Sequence, residues 1–152
     1  MKKIGVVIPA CNEEEEIEYC LQALERARQK FYQDMPQSHG IQIQILVVMD
    51  SCTDATAEKL NILKQSIQRI ALNIQDGEVA QQRDQLVAAL KPYLQANDIL
   101  VTTFEHDGHP DHEITGQVSK QLAATHSLKC LQVLIWTWHW ASPGDQRVPW
   151  QQ

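Results

Sequence analysis

Two nearly unbroken apolar runs constrain this chain most. Lys3 to Ile8 holds Ile4, Val6, Val7 and Ile8, interrupted only by Gly5. Ile41 to Met49 opens with alternation at Ile41, Ile43 and Ile45 and becomes fully apolar through Leu46, Val47 and Val48. Runs of this kind fit strands buried on both faces, as in a parallel sheet sandwiched by helices. Between them, Ile17, Cys20, Leu21, Leu24 and Ala27 recur at helical spacing and form one apolar stripe. Pro9 is expected to stop the first strand. Asn12 is placed to cap the helix, with Glu13 to Glu16 in its first turn, where the macrodipole favours negative charge.

The alternation continues. Thr53 or Asp54 caps a helix over 55–67. Residues 69–74 read as a short strand closed by the Asp76-Gly77 turn. A helix over 78–95 turns Val79, Leu86, Leu90 and Leu94 inward and is kinked or ended by Pro92. A strand over 98–102, a helix over 113–126 and a last strand over 130–136 follow. The tail from Thr137 to Gln152, with Trp138, Trp140 and Trp150, is expected to be irregular and to cover a core edge or line a pocket. Strand and helix alternating in this way imply a single three-layer α/β/α Rossmann-like domain over residues 1–152, with about five mostly parallel strands.

At 152 residues, 43% hydrophobic and 21% charged, the chain is long enough for one core and short for two. Its net charge of -6 disfavours nonspecific nucleic-acid binding and offers no polybasic membrane patch. Lys2 and Lys3 precede an apolar run too short for a signal core or a membrane span. Cys11, Cys20, Cys52 and Cys130 form no C-x-x-C pair, so a reduced, cytoplasmic protein is the expectation.

Chemistry concentrates after the fourth strand. In Phe104-Glu105-His106-Asp107-Gly108-His109-Pro110-Asp111-His112, three histidines and two aspartates fall within seven positions. Imidazole and carboxylate are the usual ligands of zinc, and a loop at the C-terminal end of a strand is where open α/β sheets place their sites.

The opening of the chain resembles family 2 glycosyltransferases, on Val7-Ile8-Pro9-Ala10-Cys11-Asn12-Glu13-Glu14 and Val47-Val48-Met49-Asp50-Ser51-Cys52-Thr53-Asp54-Ala55-Thr56. The resemblance implies that Pro9, Asn12, Glu14 and Asp50 hold the nucleotide of a UDP- or GDP-sugar. Met49 stands where that family has the first aspartate of a pair, and no later D-x-D motif follows. From about residue 68 the chain resembles the PIG-L (LmbE-like) de-N-acetylases, on Leu72-Asn73-Ile74-Gln75-Asp76-Gly77, Asp107-Gly108-His109-Pro110-Asp111-His112 and Trp138-His139-Trp140-Ala141-Ser142-Pro143-Gly144-Asp145. That resemblance implies that His112 binds zinc, His109 stabilises an oxyanion and Asp111 orients its neighbours. It also implies a small-molecule sugar or sugar conjugate as substrate.

The N-terminal A-H-P-D-D element of that family is absent. The chain therefore reads as a splice of residues 1–66 onto 68–152, and a folded chimera without activity is one alternative. Laying Ala10 to Glu14 over the missing element puts Cys11 and Glu14 beside His112 as zinc ligands and Glu13 as general base.

Overall fold

The computed structural model describes residues 2–49, 51–62 and 67–150. Five strands form one sheet: β1 (Lys2–Ala10), β2 (Ile41–Met49), β3 (Ile67–Ala71), β4 (Ile99–Thr103) and β5 (Lys129–Val133). Their order is β3-β2-β1-β4-β5, and every pairing is parallel. The helices are α1 (Ile17–Asp34), α2 (Thr56–Ile62), α3 (Arg83–Leu90), α4 (Pro110–His126) and the one-turn α5 (Thr137–Trp140). The three-layer Rossmann-like expectation holds, and the sheet is parallel throughout.

Two cores form, one on each face. On one side Val7, Leu46, Val48 and Leu100 pack against Leu86 and Leu90 of α3 and Val118 and Leu122 of α4. On the other, Ile45, Val47 and Met49 pack against Ile17 and Leu21 of α1 and Leu60 of α2. Neighbouring strand residues point to opposite faces, so the fully apolar end of β2 feeds both cores at once. The side chains at Leu86 and Leu90 point inward as the helical periodicity requires, and Leu94 packs at the edge of the same core.

Several boundaries differ from expectation, for identifiable reasons. Pro9 does not end β1; it continues to Ala10 in register with β2. The pairing of β1 with β4 covers only Ile4 to Val6, so beyond Val6 the strand has one neighbour and tolerates a missing N–H. Glu13 to Glu16 form a turn ahead of α1 instead of its first helical turn. The helix expected over 55–67 is described only to Ile62, and Ile67 already opens β3. Pro92 sits in a short 3₁₀ turn (Lys91–Tyr93) that closes α3. Pro110 occupies the first turn of α4, where its fixed φ and absent N–H are favourable. That helix therefore begins three residues before the expected Glu113.

Strand order reverses between β1 and β4: the chain runs outward through β2 and β3, then returns to lay down β4 and β5. Open α/β sheets leave a crevice at such a switch point, beyond the carboxyl ends of the strands. Here it lies between the loop after β1 (residues 11–16) and the loop after β4 (residues 104–109).

Candidate active site

Asp107 is the anchor of the loop after β4. Its side chain is 0% exposed. One oxygen, Oδ1, accepts hydrogen bonds from the backbone N–H of Ile135 (3.0 Å), the N–H of Thr137 (3.0 Å) and the Thr137 hydroxyl (2.7 Å). The other, Oδ2, accepts from the Trp136 N–H at 3.0 Å and lies 2.7 Å from His112 Nδ1. Burial pushes this carboxyl's pKa up, but the bonds from Trp136, Thr137, His112 and Ile135 outweigh it and hold the group below the ordinary carboxylate range. An ionised carboxylate has no proton to give, so His112 carries its proton on Nδ1. Nε2 is then the free, basic nitrogen.

His112 is fixed from its backbone as well. Its carbonyl accepts the Thr103 hydroxyl at 2.7 Å, stitching the first turn of α4 to the end of β4. Gly116, one turn further on, makes that approach possible: a Cβ there would lie 2.5 Å from the Thr103 carbonyl oxygen. Gly108 has φ +92, and a Cβ on it would fall 2.4 Å from Trp140 Nε1. That indole N–H donates to the Asp107 carbonyl at 2.7 Å. The tail opens with the short helix α5, which carries Trp138-His139-Trp140 and clamps the histidine loop, and residues 141–150 are irregular as expected.

His109 occupies the N-cap position of α4. Its ring lies 4.8 Å from that of His112 and 5.5 Å from that of Trp136, centroid to centroid. Its Nδ1 is buried and without a hydrogen-bond partner among the described residues. Asp111 is buried and faces away from this cluster of rings, accepting from the N–H groups of Gly77 (2.7 Å) and Val79 (3.3 Å). It ties the Asp76-Gly77 turn to the start of α4.

The loop after β1 behaves differently. Asn12 has φ 53, and its Oδ1 accepts from the Thr53 N–H at 2.8 Å. Glu14 Oε2 accepts from the Ala55 N–H at 2.9 Å. In return, Glu13 N–H donates to Thr56 Oγ1 at 2.8 Å and Glu14 N–H to Asp54 Oδ2 at 3.0 Å. Asp54 also accepts from the Thr56 N–H at 3.0 Å, the cap anticipated for α2. The two glycosyltransferase-like motifs are thus hydrogen-bonded to each other, and the side chains of Asn12 and Glu14 are engaged there. Pro9 lies in β1, and Asp50 falls outside the described residues.

Glu13 and His112 line one cavity of about 460 Å³, with Glu16, Cys20 and Trp136 also on its wall. Cys11 and Glu14 are not on that wall. Among the described residues no group of three His, Cys, Asp or Glu side chains is arranged to hold a metal. The donor set Cys11, Glu14 and His112 therefore does not fit a zinc ion as a three-ligand site. His112 alone, with its carboxylate-bound Nδ1, has the form of a zinc-binding imidazole.

The imidazole–carboxylate pair lies at the switch point of the sheet, where open α/β folds place their small-molecule sites. Residues 49–123 match the family described as PIG-L: GlcNAc-PI de-N-acetylase. The matched segment carries β3, β4, most of α4 and the whole histidine loop. The match begins at Met49, within the second glycosyltransferase-like motif, and spans the join expected at 66–68. No curated protein matches the chain. Among the described residues no helix is long and apolar enough to cross a membrane.

The residues missed by sequence reasoning are Asp107 as the buried partner of His112, and Thr137 and Trp136 as its supports. The Asp-Gly flanking the histidines was a visible signal for the first. The two supports carried none, because they reach the site from beyond β5.

Proposed function

We propose that this chain is a PIG-L-type de-N-acetylase that hydrolyses the amide of an N-acetylated sugar or sugar conjugate, at a reduced rate. The observation that carries this is the Asp107–His112 pair with His109 beside it, at the switch point and inside the matched segment. No step is assigned to a metal, because the donor set does not collect three ligands.

In the proposed reaction a water molecule sits between Glu13 and His112 Nε2. Glu13 takes a proton as the water oxygen bonds to the acetyl carbonyl carbon. An N–H of His109 meets the negative charge that develops on the carbonyl oxygen. The carbon–nitrogen bond then breaks, the nitrogen receives the proton that Glu13 held, and acetate and the free amino sugar depart. Asp107 keeps His112 in the tautomer that leaves Nε2 available, as buried carboxylates do for catalytic imidazoles.

The test is acetate release from N-acetylglucosamine and a glycoconjugate of it, with zinc content measured on the same preparation. Slow turnover, lowered at least ~10²-fold in His112→Ala and Glu13→Gln, is the expected result. Turnover equal to buffer rejects the reading. Stoichiometric zinc that is lost in both Cys11→Ser and His112→Ala would establish a metal-dependent route instead.

A further inference from the structure

The cavity that His112 and Glu13 share is far larger than an acetyl group requires, and its walls are mostly hydrocarbon. From the site it runs along the sheet over Ile8 and Val6 of β1 and Val101 of β4, with Val133 lining it at the carboxyl end of β5. Leu24 of α1 forms the far wall. From Ala10 back to Val6 is ~13 Å at the usual rise per strand residue. The volume of about 460 Å³ falls in the range of small-molecule sites. The β5 side is open: Val133 is 44% and Ile135 45% exposed. The charged and imidazole groups, Glu13, Glu16 and His112, sit at the strand-end mouth, and the wall beyond them is largely apolar, with Thr102 and Cys20 as its polar members.

We infer that this groove binds a hydrocarbon chain. On the de-N-acetylase reading, on which this assignment rests, the chain is the acyl part of the scissile amide, so the substrate class extends from N-acetyl to medium-length N-acyl amino sugars. An amide whose carbonyl lies at His112 and His109 directs its acyl carbons either into water or along this groove. The groove is the arrangement that removes them from water.

The experiment has two arms on the intact chain. The first measures equilibrium binding of octanoate, decanoate and dodecanoate, below micelle-forming concentration, by isothermal titration. Affinity should rise about fourfold per added methylene, the gain expected for moving each CH2 out of water. Val133→Glu and Ile135→Glu, both at exposed positions that tolerate charge, should weaken decanoate binding at least tenfold. The second compares release of acetate and of octanoate from the matching N-acyl glucosamines, with the longer chain preferred in kcat/KM. Absence of saturable binding, absence of chain-length dependence, or binding unchanged in both variants overturns the inference. So does self-association abolished by Val133→Glu without fatty-acid binding, which makes the face an interface between copies. Chain-length-dependent binding with neither amide hydrolysed keeps the hydrocarbon site and removes the de-N-acetylase reading. Acetate release without fatty-acid binding does the reverse.

Discussion

The loops after β1 and β4 face the same crevice, and both carry acids, yet they use them in opposite ways. After β1, Asn12 and Glu14 turn their side-chain oxygens onto the N–H groups of Thr53 and Ala55. Those oxygens do what capping groups do: they satisfy donors at the start of α2. After β4, Asp107 is buried beneath the loop and gathers donors from Ile135, Trp136 and Thr137, with His112 held toward the cavity. A carboxylate at the surface ties two loops together; a buried carboxylate sets the tautomer of an imidazole. The partner separates them: a carboxylate bonded only to backbone N–H groups is structural, as buried Asp111 also is, and one that bonds an imidazole has a chemical consequence.

The largest test of this contrast is Asp107→Asn. The new amide places an NH2 against N–H donors and leaves at least one buried partner unsatisfied. A loss of ~3–5 kcal/mol in chemical denaturation is expected, with loss of any His112-dependent turnover. The same carboxylate gives the folded protein a definite pH dependence. Its folded-state pKa lies below the ordinary value. Its stabilisation is therefore complete above ~3.9, the unfolded value, and is lost as pH falls through the folded-state value. Acid unfolding monitored by tryptophan fluorescence should follow this course, and Asp107→Asn should flatten it.

Gly116→Ala comes next. Its methyl would press on the Thr103 carbonyl oxygen and the Glu105 N–H, both backbone, and α4 would have to move outward. A loss of ~1–3 kcal/mol is expected in denaturant. Because His112 rides on the same turn, deacetylation should fall further than stability does. The smallest effect belongs to the β1 loop. Glu14→Ala removes one cap-like bond from the start of α2 and should cost ~1 kcal/mol, with residual turnover unchanged. A collapse of activity in Glu14→Ala would break the contrast and return Glu14 to the site.

A good deal of this arrangement was legible beforehand. The continuous run of Leu46, Val47, Val48 and Met49 placed a strand between two helical layers, and both cores use it. The family resemblance gave His109, Asp111 and His112 separate roles, and the structure shows the Asp111 carboxylate engaged with the Gly77 and Val79 N–H groups. Less was legible where a residue's partner is distant in sequence. Pro9 continues a strand because β4 has already diverged from β1 beyond Val6. That is a property of the sheet and not of the Pro9 neighbourhood. Glu13 to Glu16 read as a first helical turn, but the N–H groups of Glu13 and Glu14 find acceptors in Thr56 and Asp54, which hold the segment as a turn.

Sequence by itself determined the parallel α/β architecture, since alternating buried strands and amphipathic helices have few other ways to hide their apolar faces. It also marked the histidine loop as the place where a site was to be expected. Only the tertiary structure decided which acid partners His112. Asp107 becomes a strong acceptor once the segment after β5 brings three N–H groups and a hydroxyl around it, 28 to 30 positions away in the chain. The fold likewise decided that Glu13 shares a cavity with His112 while Cys11 and Glu14 do not. One residue of offset along a turn changes the direction of a side chain, and only packing against α2 fixes that direction.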